Sequence, residues 1–188
     1  MKIAILSKKG GVGKTPFAFS LAKDLNLFLQ SNDNSCIEKI YPKKTKISKI
    51  VDNIDNCVYD FGGFSASGVL SIVKDCKFCL IPVLPNSNSL IKTFETINEL
   101  KKINNNIILL ATNYRNDREK EYLKNHINKH FNQYPVFYFK SSMILSNSMF
   151  YGRSFLDLYN ENQLSKNAYK NFIDEYEKLL KKITLEKS

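Results

Sequence analysis

Lys9-Gly10-Gly11-Val12-Gly13-Lys14-Thr15 constrains this chain more than any other stretch. It follows an apolar run at 2–6 that reads as a short strand. It opens a segment, 15–25, in which Phe17, Leu21, Ala22 and Leu25 fall at helical spacing. Glycines at a strand-to-helix turn let backbone N–H groups converge on an anion. The helix N-terminus adds a favourable dipole. In that frame Lys14 can reach the outer phosphates of a bound polyphosphate, and the Thr15 hydroxyl can hold Mg²⁺. A plain tight turn would not require Gly13-Lys14-Thr15 at the mouth of a helix.

The rest of the chain alternates between strand and helix patterns. Strands are expected at 27–29, 56–60, 78–83, 107–112 and 136–139. Helices are expected at 68–73, 90–103, 117–131 and 168–182. Residues 36–56 are basic and weakly patterned, and no element is assigned there. Such alternation predicts an α/β fold of three layers, with a mostly parallel sheet between helices. A chain of 188 residues suits one domain, 1–188. Ligands of such sheets bind beyond the carboxyl ends of the strands. The glycine turn and Asp60 both fall at such ends.

The usual phosphate-loop pattern has Gly five positions before Gly13, where this chain has Lys8. The form Lys-Gly-Gly-x-Gly-Lys-Thr resembles the signature of the deviant P-loop ATPases of the ParA/MinD family. The resemblance implies ATP and Mg²⁺ as cofactors, with Lys9, Gly10, Gly11, Val12, Gly13, Lys14, Thr15 and Pro16 around the nucleotide. It implies an ATP-dependent homodimer in which Lys9 crosses to the partner's nucleotide, a cation supplied in trans to the transferring phosphoryl. Val58-Tyr59-Asp60-Phe61-Gly62-Gly63 resembles the family's Walker B strand and the switch after it, which makes Asp60 a metal residue. Asp33 matches the second acid of the family's first switch, with a catalytic and a metal role beside Lys9 and Lys14. The run Ser31-Asn32-Asp33-Asn34-Ser35 also reads as a simple polar turn. Asn113, after Leu109-Leu110-Ala111-Thr112, resembles the residue that contacts adenine; a turn role is the alternative. Phe139-Lys140-Ser141-Ser142 through Gly152-Arg153-Ser154 resembles the family's C-terminal segment.

Two departures bear on activity. Pro16 stands where the family has Thr or Ser, and it supplies neither hydroxyl nor N–H to the α-phosphate. Ser31 stands where the first switch Asp would be. A serine cannot act as a carboxylate base, so slow hydrolysis is expected.

Net charge is +10, a balance that attracts phosphate polymers and anionic membrane surfaces alike. Arg115, Lys140 and Arg153 are the candidate contacts to non-specific DNA. The resemblance implies plasmid or chromosome partition, with a ParB-like centromere-binding protein stimulating hydrolysis, and a cytoplasmic, nucleoid-associated location. No helix-turn-helix segment is expected before the first strand. A MinD-like membrane-surface regulator and a metabolic P-loop enzyme are the rival classes. No apolar run is long enough to span a bilayer. Cys76 and Cys79 lack the second pair of a structural zinc site and read as buried thiols. His126 and His130, four apart, read as solvated rather than metal-binding. The amphipathic last helix reads as packing on the sheet.

Overall fold

The computed structural model describes residues 1–62 and 68–185. Gly63 of the quoted switch segment lies outside the described residues.

Among the described residues, seven strands form one all-parallel sheet in the order β3-β2-β4-β1-β5-β6-β7. They are β1 (Lys2–Leu6), β2 (Phe28–Ser31), β3 (Thr45–Ile47), β4 (Cys57–Phe61), β5 (Phe78–Val83), β6 (Ile107–Tyr114) and β7 (Val136–Lys140). The central strands β4 and β5 are buried along their whole length, as continuous apolar runs in a doubly covered parallel sheet require. The chain leaves β1, crosses to β2, and returns to place β4 beside β1. The carboxyl end of β1 therefore lies between β4 and β5, at the crevice such sheets offer to ligands.

Helices cover both faces. Helix α1 (Lys14–Asp24), α6 (Ile144–Tyr151), α7 (Phe155–Tyr159) and α8 (Gln163–Leu185) gather around one core. Helices α3 (Val69–Asp75), α4 (Ser87–Leu100) and α5 (Asp117–Phe131) cover the other. The short α2 (Ile37–Ile40) follows β2. Phe17, one residue beyond Pro16, packs edge-on to Phe139 and Phe155 and stacks on Phe172, with ring centroids 4.8–5.9 Å away. This aromatic knot fixes the start of α1 against β7 and α8. Truncating Phe17 to Ala would cost about 3–5 kcal/mol.

The apolar face of α8, with Phe172, Ile173, Tyr176, Leu179 and Ile183, is packed on that core, as its amphipathic pattern predicts. Among the described residues, no helix is long and apolar enough to cross a membrane.

Several elements differ from expectation. Strand β2 continues through Ser31, because Gln30 and Ser31 are fully buried and pair with Tyr59 and Asp60. Polar side chains there had read as the start of a turn. Helix α2 and strand β3 arise in the unassigned basic stretch. There Thr45 and Ile47 turn half inward while Lys46 faces out. Helix α8 begins at Gln163 rather than 168, because its first turns are exposed and carry no apolar stripe. Helix α7 is set by a Ser154/Asp157 capping box.

Candidate functional site

The glycine turn leaves the central strand β1 and feeds α1. Gly11 and Gly13 have φ of +70° and +89°, values that carry little penalty only without a Cβ. Gly13 is the N-cap of α1, and no side chain caps that end. The first N–H groups of α1 stay available to an anion. Pro16 sits in the first turn, where a missing N–H breaks no helix bond. The loop is braced from behind: the Thr112 hydroxyl donates to the Val12 carbonyl at 3.4 Å.

The two lysines before the glycines differ. Lys8 pairs with Glu99 on α4, and its N–H donates to Thr96. Lys9 makes no ion pair among the described residues. Of the two, only the ammonium at the signature position is without an ion pair among the described residues.

Beneath the loop lies Asp60, the penultimate residue of β4 and 2% exposed. The Thr15 hydroxyl donates to its Oδ2 at 2.6 Å. Burial pushes the Asp60 carboxyl above the ordinary carboxylate range; the Thr15 bond and the Lys14 charge oppose that rise, and Asp33 adds to it. The other oxygen, Oδ1, is buried with no hydrogen-bond partner among the described residues. An open buried carboxylate oxygen beside a hydroxyl and a phosphate loop suits Mg²⁺, which takes hard oxygen ligands. That ion typically uses one or two carboxylates, with phosphates and water completing the shell. No cluster of three or more His, Cys, Asp or Glu side chains that could hold a metal occurs among the described residues.

Asp33 is exposed. Its Oδ2 lies 3.4 Å from where a Cβ on Gly62 would stand, an ordinary contact distance, so the two turns lie side by side. The Asn32 side chain accepts from the Gly62 N–H at 2.9 Å. Lys14, Thr15 and Asp60 thus come together, with Asp33 on their flank.

A cleft of about 520 Å³ runs from Gly11, Val12, Gly13 and Pro16 to Asn113. Asn113 has φ of +60°, at a register shift between Thr112 and Tyr114 where β6 meets β7. Asn tolerates this left-handed geometry better than most residues. The far wall is Ser141, Ser142, Met143, Leu145, Ser146 and Met149. Sequence reasoning gave these residues no individual role. Their only signal is a short apolar and serine-rich run after β7.

The three candidate DNA contacts do not form one group. Arg115 and Lys140 sit together at the ends of β6 and β7. Arg115 is engaged by Glu119 at 2.8 Å, and Arg153, beyond α6, by Glu161 at 2.7 Å. Exposed pairs of this kind are worth little and yield to a stronger anion. Cys57, Cys76 and Cys79 are buried, and burial pushes the Cys57 and Cys76 thiols up to about 12. His126 faces the Tyr122 carbonyl, and His130 lies edge-on to Phe94.

An all-parallel sheet with a glycine loop at its crevice, and a buried Asp bonded to the loop Thr, defines a P-loop nucleotide-binding protein of the α/β class. Residues 3–149 match the CobQ/CobB/MinD/ParA nucleotide binding domain, and the chain belongs to that family. No curated protein is a recognisable relative in sequence. Solved structures share the fold. MinD cell division protein of Aquifex aeolicus has 16% identity and a TM-score of 0.66, over 95% of this chain and 96% of that one. A putative plasmid partition protein of Borrelia burgdorferi bound to AMPPNP has 14% identity and a TM-score of 0.65, over 96% and 98%. A substituted McdA of Cyanothece in complex with ATP has 14% identity and a TM-score of 0.58, over 90% and 95%.

Proposed function

We propose that the chain is a ParA-like ATPase that binds Mg·ATP in this cleft and dimerises on it. The dimer holds non-specific DNA and serves plasmid or chromosome partition. The observation that carries this reading is the bond from Thr15 to the buried Asp60 beneath an unblocked glycine loop. Lys14 and the first N–H groups of α1 bind the outer phosphates. Thr15 and Asp60 hold the metal, which neutralises charge on those phosphates when bound. Asn113 and the wall from Ser141 to Met149 receive the adenine and ribose. Lys9, without an ion pair among the described residues, reaches a second copy's nucleotide. Asp33 orients the attacking water. Arg115, Lys140 and Arg153 contact DNA phosphates, so binding falls steeply with salt. A ParB-like partner stimulates turnover, and the protein works in the cytoplasm on the nucleoid.

Support comes from the family match and from the AMPPNP and ATP complexes of its structural neighbours. Turnover measured with and without DNA, combined with DNA against liposome co-sedimentation, tests the reading. ATP-dependent retention on DNA is expected. Retention on anionic liposomes alone would favour a MinD-like surface regulator.

A second reading has its own observation. Ser31, where the family has an acid, is fully buried and cannot supply a carboxylate. Together with Pro16 it favours a switch that holds ATP and cleaves it slowly. Single-turnover hydrolysis measured against the rate of nucleotide release separates the two.

A further inference from the structure

We infer that Ser31 is a positioning residue for the metal end of the site, turning the Asp60 carboxylate so that its Oδ1 stays open to a cation. The inference rests on the reading that Mg·ATP binds in this cleft.

Ser31 is the last residue of β2, fully buried, and directly paired with Asp60 of β4. Its Oγ accepts the Asp33 N–H at 3.1 Å. The single hydroxyl proton then has three acceptors within reach: the Asp33 carbonyl at 3.1 Å, the Asp60 carbonyl at 3.2 Å, and Asp60 Oδ2 at 3.4 Å. The last is the longest of the three and the only one made to an ionisable group. Thr15 donates to the same Oδ2 from the opposite element. Two hydroxyls, from β2 and α1, therefore converge on one oxygen of Asp60. The other oxygen is buried, with no hydrogen-bond partner among the described residues. A carboxylate pinned at one oxygen presents the second in a fixed direction.

The same tip of β2 is stitched to β4 a second time. The Asn32 N–H donates to the Asp60 carbonyl at 3.4 Å, and its side chain takes the Gly62 N–H. These bonds hold the two turns together but do not touch the Asp60 carboxylate. A second acid at position 31 would set like charges against one another in a buried place. A serine gives this chain a neutral donor instead.

The test is titration calorimetry of ATP, with Mg²⁺ and with EDTA, on wild type, Ser31→Ala, Ser31→Cys and Asn32→Ala, each checked for folding by its melting curve. The wild type is expected to bind ATP more tightly with Mg²⁺. Ser31→Ala should lose roughly tenfold of that gain, the loss expected when a bond to a charged group is removed. Its affinity in EDTA should be unchanged. Ser31→Cys, close in volume but only a weak donor, should lose the gain as well. Asn32→Ala should keep it. A full Mg²⁺ gain in Ser31→Ala would overturn the inference. So would an equal loss in EDTA, or the same loss in Asn32→Ala, since each marks a merely structural role. A wild type with no uptake of ATP would overturn the reading of the site and this inference with it.

Discussion

The two ends of the cleft are built differently. The end proposed to hold the phosphates stands on the sheet's centre: Gly11 and Gly13 follow β1, Asp60 is the penultimate residue of β4, and α1 behind them is buried from Phe17 to Ala22. The end proposed to take the base stands on a register shift in β6 and on α6. That helix carries Met149 and Leu145 inward and leaves Phe150 at 80% exposure, with Met143 just before it at 67%. Charge must meet a fixed array, because an electrostatic contact in a partly dry site loses much with small displacements. A flat aromatic base needs only an apolar wall with a few polar groups. Thioethers and hydroxyls adapt to that. Most of the binding energy is therefore expected at the phosphate end, and tolerance at the base end.

The comparison breaks if the largest effect does not come from Lys14→Ala. That substitution should weaken ATP binding roughly 100-fold, the scale of a lost charge-assisted contact, as read by fluorescent-nucleotide competition. Next is Asp60→Asn. It should lose the Mg²⁺-dependent gain, roughly tenfold or more in affinity. Its effect on the empty protein should be opposite. The charge at Asp60 is disfavoured by burial, so the neutral amide should raise the nucleotide-free melting temperature by about 2–4 °C. Differential scanning calorimetry of the empty and loaded forms would show the two signs. A smaller effect, about threefold to fivefold, is expected for Met149→Ala, which removes apolar contact at the base wall. A loss as large as that of Lys14→Ala would reverse the comparison.

The smallest effect on binding belongs to the opposite end of α1. Asp24 is pushed up to about 6 by burial, against bonds from Ser154, Tyr176 and the Leu156 N–H, while the nearby Asp157 adds to the rise. Lys23 pairs with Asp157 rather than with Asp24. A carboxyl raised in the folded state favours that state while protonated. Its contribution is full below about pH 4, and it is lost as pH rises through about 6. Asp24→Asn should flatten the stability profile across that window by up to roughly 3 kcal/mol. It should leave ATP affinity unchanged. Chemical denaturation at pH 4.5 and 7.5 checks the first expectation, since each value should fall on a different part of the curve.

The phosphate end was legible in the sequence because its chemistry is local. Lys9 to Thr15 is one continuous run in a strand–turn–helix frame, and Asp60 ends an apolar strand. At the other end only Asn113 stood out, by its place after Leu109-Leu110-Ala111-Thr112. Gly11, Asn113 and Met149 meet only through the sheet's order, and no short-range pattern marks the wall from Ser141 to Met149. Ser31 was misplaced for a related reason. In Ser-Asn-Asp-Asn-Ser the local preference is a turn, yet pairing with Asp60 draws the first residue into the buried sheet. The stretch 36–56 hid α2 and β3 because an edge strand with one solvated face shows little apolar periodicity.

The whole reading depends on the proposal that a glycine loop at the mouth of β1 grips a nucleoside triphosphate together with Mg²⁺. Its most direct test is calorimetric titration of the intact chain with ATP in the presence of Mg²⁺. One ATP per chain should be taken up saturably, with the affinity reduced roughly 100-fold in Lys14→Ala. Absent heat of binding at millimolar ATP, or an isotherm that Lys14→Ala leaves unchanged, would contradict it.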